Sequence, residues 1–367
     1  MFATKNNTQE FKEKAIQQNN AAPEHFKDVF GLTLSSIGLG TYLGEPTLEV
    51  DKEVEEAIRM CIHSKAVNVI DTAINYRYQR AERVIGATLK DLITHGALKR
   101  EEVFISTKLG YIAPGEEKYY GKIEDYVVEQ IIHANILDKH EINHGNHSMS
   151  VKFLEFEFEQ SLLNLQVEGI DLLYLHNAAE SHLEHLSQNE FFEKLENIFR
   201  FFERLRERNR IKYYGLATWD CFRVLPNNPL YLSLEKVVQL AKNVGGSNHG
   251  FKFVQAPFNY VDHQIVSLKN QYLNNELFSL AAVAEKLDVK LFTSVPLKQG
   301  KILSPVSLRP RFMNIHAPMQ SALQYARSAH PSIIGPLVGM KKPEHIKENM
   351  DVAKLKPATS TELELAF

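Results

Sequence analysis

Only two cysteines, Cys61 and Cys221, and a single tryptophan, Trp219, occur among 367 residues. Two cysteines cannot build a disulfide framework, which favours a reducing compartment. Neither sign of charge prevails: 42 lysines and arginines stand against 45 aspartates and glutamates, for a formal net charge of −3. That balance gives no electrostatic reason to expect nucleic acid or an anionic membrane as partner. Also missing is any apolar run near the roughly 18 residues of a membrane span. Residues 1–27 are polar and carry Glu10, Glu13 and Glu24 among their lysines. They have neither the apolar core of a signal peptide nor the acid-poor, arginine-rich character of a transit peptide. A cytoplasmic protein is the expectation. No internal repeat or low-complexity tract interrupts the chain.

Strand-like and helix-like segments alternate from about residue 34 to 353. Candidate strands are 34–39, 67–71, 103–108, 170–176, 211–217, 251–256, 289–295 and 332–338. They are short, rich in Val, Ile, Leu, Phe and Tyr, and mostly lack polar alternation, as parallel strands buried on both faces do. Amphipathic segments lie between them at 52–64, 79–92, 150–166, 232–243, 275–286, 317–329 and 343–353. The clearest carries Phe191, Leu195, Ile198, Phe202 and Leu205 on one face, with Glu193, Lys194, Glu196, Glu203 and Arg206 elsewhere. Eight strand–helix pairs in that order predict a (β/α)8 barrel, although a doubly wound sheet alternates in the same way. Residues 1–30 read as a flexible or helical extension and 31–367 as one barrel domain. Residues 109–149 are too long for an ordinary βα loop. On a barrel that loop lies on the active-site face, as a substrate lid or wall.

Three strand-like runs end on chemistry-bearing residues. Val67-Asn68-Val69-Ile70 leads into Asp71 and, five residues on, Tyr76; Phe104-Ile105-Ser106-Thr107 delivers Lys108; Leu172-Leu173-Tyr174-Leu175 delivers His176. A tyrosine titrates near ~10 on its own. A nearby ammonium stabilises its phenolate, and a carboxylate holds that ammonium in place. A histidine can then donate to, or share a proton with, a substrate oxygen. Such a set would protonate an oxygen as a carbonyl becomes an alcohol, or do the reverse. It contains no hydride donor, so a nicotinamide cofactor is required.

The stretch Ile70-Asp71-Thr72-Ala73 with Tyr76, Glu82 and Gly86, then Ser106-Thr107-Lys108, then Asp171-Leu172 and His176, resembles the aldo-keto reductase superfamily over residues 30–354 or so. The resemblance implies a (β/α)8 barrel binding an NADP-type cofactor, NADP(H), without a Rossmann domain. It makes Tyr76 the general acid/base, Lys108 and Asp71 its tuning pair, and His176 the residue that orients or helps protonate the carbonyl. It places Gly40, Thr41 and Tyr42 beside the nicotinamide and ribose, and Gln255 on the carboxamide. Leu297, Gln299 and Gly300 fall in the pyrophosphate loop. Gly339, Lys341, Lys342, Glu348 and Asn349 fall at the adenine end, where either lysine could neutralise a 2′-phosphate. The partner implied is a small carbonyl or alcohol: an aldehyde, a ketone or a sugar lactol.

The chain departs from that pattern around the nicotinamide. Ala217 and Thr218 replace the usual Ser-Asn pair, and Ser294-Val295-Pro296-Leu297 replaces Tyr-Ser-Pro-Leu, removing a stacking ring. These changes motivate an alternative, a cofactor-binding regulatory or interaction subunit with little turnover. Within 109–149, His133, His140, His144 and His147 form a second cluster. His140 and His144 would share a helical face as metal ligands do. No glutamate stands in a general-base position beside them, Gly145 signals a turn, and no metal site is assigned. One or more of these histidines could instead border the substrate pocket. Trp219 could touch substrate or cofactor, or pack under a loop.

Overall fold

The computed structural model describes residues 1–143, 145–303 and 309–367. Strands β1 (Phe26–Val29) and β2 (Leu32–Ser35) form an antiparallel hairpin. There follow β3 (Gly38–Gly40), β4 (Val69–Asp71), β5 (Phe104–Leu109), β6 (Ile170–His176), β7 (Ile211–Ala217) and β8 (Phe251–Pro257). A second small hairpin, β9 (Gln271–Leu273) with β10 (Glu276–Phe278), precedes β11 (Lys290–Ser294) and β12 (Ile333–Gly339). Strands β3 to β8, β11 and β12 close into one parallel barrel, with helices between them. The expected (β/α)8 barrel is therefore the fold.

Pleating decides what faces inward. Along β5, Phe104, Ser106 and Lys108 point to the barrel interior while Ile105 and Leu109 pack outward under the helices. Along β6, Leu172, Tyr174 and His176 share the inner face, and Leu173 and Leu175 the outer. On β4, Val69 and Asp71 point in and Ile70 out. The lower interior is a packed apolar layer of Val69, Phe104, Leu172, Phe253, Phe292 and Ile334. The hairpin β1–β2 closes it from below with Val29, Leu32 and Leu34. Polar chemistry is thus confined to the C-terminal strand ends, above a sealed floor.

Two segments differ from the sequence reading. The single strand expected over 34–39 is divided. Leu34 and Ser35 belong to the floor hairpin, and the barrel strand is Gly38–Gly40. The break lies at Ser36, whose N–H bonds to the His25 carbonyl rather than to a barrel neighbour. The helix expected over 275–286 begins only at Leu280. Asn274 and Asn275, both with positive φ (51° and 67°), turn β9 into β10 instead, the two-residue hairpin that left-handed asparagines favour. Residues 1–30 contain a helix, Lys5–Asn19, whose Phe11 and Ala15 are buried, and the first strand of the floor hairpin. The 30/31 boundary falls in that hairpin's turn, where Gly31 takes φ +79°. No described helix is long and apolar enough to cross a membrane.

The floor is tied to the last barrel unit through Arg327, which is fully buried yet has no carboxylate partner among its hydrogen bonds. Its guanidinium donates to His25 Nδ1 and Ser36 Oγ (both 3.2 Å), Gln324 Oε1 (2.7 Å) and the Leu355 carbonyl (2.7 Å). His25 Nδ1 is therefore an acceptor, and Nε2–H donates to the Ala66 carbonyl at 2.7 Å. Burial first, then the Arg327 cation, pushes the His25 pKa down to about 3. The unfolded chain takes up this proton near ~6.5, so the folded state binds fewer protons below that value. The stability is whole above pH ~6.5 and is lost as pH falls toward 3. Urea unfolding at pH 7 and pH 5 is expected to show a pH-linked loss about 2 kcal/mol smaller in His25→Gln than in the wild type. Equal losses in both proteins would remove His25 as the source.

Candidate active site

At the C-terminal mouth of the barrel, β4 and β5 are in register so that Asp71 stands beside Ser106. Lys108, two residues further along the same inner face, reaches across. Its Nζ donates to Asp71 Oδ2 at 2.6 Å and to the Thr72 carbonyl at 2.7 Å. Asp71 Oδ1 accepts from Ser106 Oγ (2.7 Å) and from Gln255 Nε2 (3.0 Å), so each carboxylate oxygen is engaged. Lys108 Nζ also lies 4.7 Å from the centroid of the Tyr76 ring. Burial pulls the Lys108 pKa down, but the Asp71 charge and Tyr76 more than offset it, leaving it raised. Tyr76 is raised too, because burial outweighs the opposing pull of the Lys108 ammonium. At neutral pH the lysine is a cation and the phenol keeps its proton.

Tyr76 is held by an unusual backbone. Arg77, Tyr78 and Gln79, which follow it, all take positive φ (51°, 56° and 65°). Consecutive left-handed residues without glycine are costly and persist only where surroundings fix them. Here Arg77 Nη1 donates to Asp51 (2.6 Å) and Gln79 Nε2 to the Ala113 carbonyl (2.6 Å). Tyr42 packs edge-on to Tyr76 with ring centroids 5.0 Å apart, and His176 does so at 6.0 Å. The four residues expected to act together are therefore brought together. Burial, then Lys108 and His147, drives the His176 pKa well below its usual value, so the ring is neutral.

Asp71, Tyr76 and His176 line a cavity of about 740 Å³, and Lys108 lies behind its wall. Gly40, Thr41, Tyr42, Thr218, Gln255, Leu297, Gln299, Gly300, Gly339, Glu348 and Asn349 all line it. Lys341 and Lys342 do not. Lys342 is exposed, and Lys341 Nζ sits 3.0 Å from where a Cβ on Gly44 would stand. Among the described residues of the long insertion, only Tyr111 reaches the wall, and in that respect the expected lid or wall is narrow. Among its histidines, His133 and His140 are exposed, His147 is fully buried behind His176, and His144 lies outside the described residues. No cluster of metal-ligating side chains occurs among the described residues. Trp219 is 47% exposed and lines the cavity. Glu180 fixes its loop by accepting the backbone N–H groups of Trp219, Asp220 and Cys221 at 2.7–3.1 Å.

Sequence reasoning passed over Asn75, Tyr111 and Asn177, all on the cavity wall, and His182 behind it. Asn177 follows His176 directly and Asn75 precedes Tyr76, so adjacency to the tetrad was the available signal. Tyr111 and His182 gave none, because insertion geometry alone brings them in.

A family model described as the aldo/keto reductase family matches residues 36–318. The chain belongs to the aldo/keto reductase family. Relatives of described activity are distant. An NADH-specific methylglyoxal reductase of Escherichia coli K12 is 24% identical over 193 residues, 52% of this chain and 50% of that protein. Aldose reductase C of Dictyostelium discoideum is 33% identical over 99 residues, 27% of this chain and 28% of that protein. The chain thus spans half or less of these curated relatives. Similar solved structures include the glycerol dehydrogenase of Gluconobacter oxydans (TM-score 0.62, 18% identity, 94% of each chain covered). Another is an aldo/keto reductase of Klebsiella pneumoniae in complex with NADP and acetate (TM-score 0.57, 17% identity, 92% of each chain). At these identities the likeness shows the fold.

For an aldo/keto reductase, the fit of a nicotinamide dinucleotide can be judged from the walls. Asn349 is buried at one end of the cavity, and neither its Oδ1 nor its Nδ2 has a partner among the described residues. A buried amide left so is costly unless something fills it. Gln299 and Gly300 take positive φ (57° and 85°), and no atom lies within 4 Å of where a Gly300 Cβ would stand. A bulky ligand therefore meets open backbone there. The end beside Tyr76 is sparer. One N–H of the Gln255 side-chain amide is held by Asp71, and Thr218 Oγ1 donates to the Gln255 backbone carbonyl at 3.2 Å.

Removing the charge of Asp71 would leave the Lys108 ammonium buried and unpaired. Asp71→Asn is expected to lower unfolding free energy by about 3 kcal/mol or more in chemical denaturation at pH 7. Wild-type stability would show that the pair carries no such weight.

Proposed function

We propose that this chain is an NADP(H)-dependent oxidoreductase that interconverts a carbonyl and an alcohol, with Tyr76 as general acid/base. The observation that carries this reading is the contact of a buried, carboxylate-held ammonium, Lys108, with the ring of a protonated tyrosine at the end of a long cavity. A bound nicotinamide would supply or accept the hydride. Tyr76 holds the proton that a carbonyl oxygen needs as it becomes a hydroxyl. When that proton leaves, the phenolate charge falls beside Lys108, and the Asp71 bonds keep the ammonium from following its own solvation outward. Neutral His176 borders the same space and orients the oxygen by hydrogen bonding rather than by charge. In the oxidative direction the phenolate takes the proton back.

Asn349 and Glu348 would receive the adenine, Leu297, Gln299 and Gly300 the pyrophosphate, and Gly40, Thr41 and Tyr42 the ribose and nicotinamide. Lys341 is the nearer cation for a 2′-phosphate. It stands outside the cavity wall, so the choice of NADPH over NADH rests on that one side chain swinging inward. A regulatory subunit with little turnover is the second reading, supported by the commitment of Gln255 and Thr218 to contacts within the protein.

Loss of NADPH absorbance with a panel of aldehydes and ketones tests the first reading. Tyr76→Phe is expected to lower kcat by about 10²–10⁴-fold while leaving NADPH binding intact. Full turnover in that variant would remove Tyr76 from the chemistry. Tight NADPH binding without turnover in the wild type would favour the regulatory reading. Asn349→Ala is expected to weaken NADPH and NADH alike, by about tenfold for one lost hydrogen-bonded amide, read as a smaller ligand-induced rise in melting temperature. An unchanged rise would place the adenine elsewhere.

A further inference from the structure

His176 has an unexplained freedom. Its Nδ1 is buried with no hydrogen-bond partner among the described residues, so no bond at that nitrogen fixes the ring's angle. What surrounds the residue does. Its peptide is pinned on one side by β7, where the Asn177 N–H bonds to the Ala217 carbonyl at 2.7 Å. On the other side stands His147, from the neck of the 109–149 insertion, whose Nε2 is 2.7 Å from the His176 carbonyl oxygen. A carbonyl only accepts, so this nitrogen carries the hydrogen. Nδ1 of the neutral ring must then accept, and it does, from His182 Nε2 at 2.9 Å. Burial, with His182 nearby, pushes the His147 pKa down to about 3, which keeps this tautomer neutral.

The same imidazole supports the ring of His176 through Tyr111. The Tyr111 ring stands edge-on to His147 (4.9 Å) and to His176 (5.1 Å), at 88° to both. Its hydroxyl is tethered to Asn177 Nδ2 at 3.3 Å and to Ser181 Oγ at 3.4 Å. The backbone makes room for this arrangement at one point. Gly110 takes φ +128°, and a Cβ there would stand 2.3 Å from His147 Nε2. The insertion neck is closed over it by the Ser148 N–H to Gly110 carbonyl bond (2.9 Å) and the Ile112 N–H to Asn146 carbonyl bond (2.8 Å).

We infer that His147, oriented by His182 and braced by Tyr111, is a positioning residue for His176, so that the insertion sets the aim of the histidine at the reaction centre. This rests on the reading of His176 given above. His147 and His182 lie outside the tetrad and outside the cavity wall, which Tyr111 lines, and the arrangement makes the insertion part of the catalytic apparatus rather than an ornament of its rim.

The test compares His147→Leu, His147→Gln and, as a control on the exposed part of the insertion, His140→Ala. His147→Leu is expected to lower kcat about tenfold to a hundredfold, the scale of a small misplacement of a reacting group. KM should change less, with NADPH affinity by fluorescence titration unaltered. His147→Gln can still donate to the His176 carbonyl and should recover most of the loss, whereas His140→Ala should match the wild type. Wild-type kcat in His147→Leu, or no recovery in His147→Gln, overturns the inference. If the wild type reduces no carbonyl, the proposed function falls, and ring-nitrogen NMR still decides this one. The wild type should show His147 protonated at Nε2 alone, and His176 resonances should shift in His147→Gln and in Gly110→Ala. The opposite tautomer, or an unmoved His176, rejects the inference even where His147→Leu does not fold.

Discussion

The ion pair between Lys108 and Asp71 is the constraint around which the mouth of the barrel is organised. An ammonium with no solvent exposure is tolerated only when paired and hydrogen-bonded. Every neighbour contributes to that condition. Asp71 supplies the charge, Thr72 a carbonyl, and Ser106 and Gln255 occupy the other carboxylate oxygen. Four elements, β4, β5, the loop after β4 and β8, are thereby fixed to one another at the height where Tyr76 enters. The cost of burying the charge is also what gives it strength, since a local field acts most in a low dielectric. The Tyr76 ring, 4.7 Å from Lys108 Nζ, stands in that field.

The pair could not survive at that height without the floor below it. The barrel interior under Lys108 is filled by rings, with Phe253 and Phe292 stacked at 5.9 Å and Phe104 tilted against both. Water is excluded from beneath, and the hairpin β1–β2 seals the last opening with Val29, Leu32 and Leu34. The alternation along β5 then acts as a ruler. Phe104 belongs to the dry layer, Ser106 to the carboxylate, and Lys108 to the ion pair beside Tyr76, three successive inward positions on one strand.

Much of this was legible because it obeys simple periods. The strands at 170–176 and 211–217 were readable to the residue, since apolar runs buried on both faces leave little ambiguity. The tetrad was readable because Asp71, Lys108 and His176 each end such a run. The split at 34–39 was hidden because Leu34 is as buried in a floor hairpin as it would be in a barrel strand, and composition does not distinguish the two. The β9–β10 hairpin was hidden within a helix-like pattern, although Asn274-Asn275 carried the turn signal. Tyr111 and His182 escaped for a different reason. They are distant in sequence from the residues they touch, and the path of a 41-residue insertion is set by tertiary contacts rather than by any local period.

The departures from the family pattern beside the tetrad acquire a physical meaning once the polar groups are followed to their partners. Gln255 donates to Asp71 and so belongs to the ion-pair network as much as to the cavity wall. A rotation of this amide away from Asp71 would loosen one of the bonds on the carboxylate that holds Lys108. Contact at Gln255 is then coupled to the electrostatics at Tyr76 through a single side chain. The Ala217 side chain offers no hydrogen bond and Ser294 no ring, so few other side chains share that position. One amide thus belongs both to the wall of the cavity and to the network that holds the ammonium beside Tyr76, so a change at either is felt at the other.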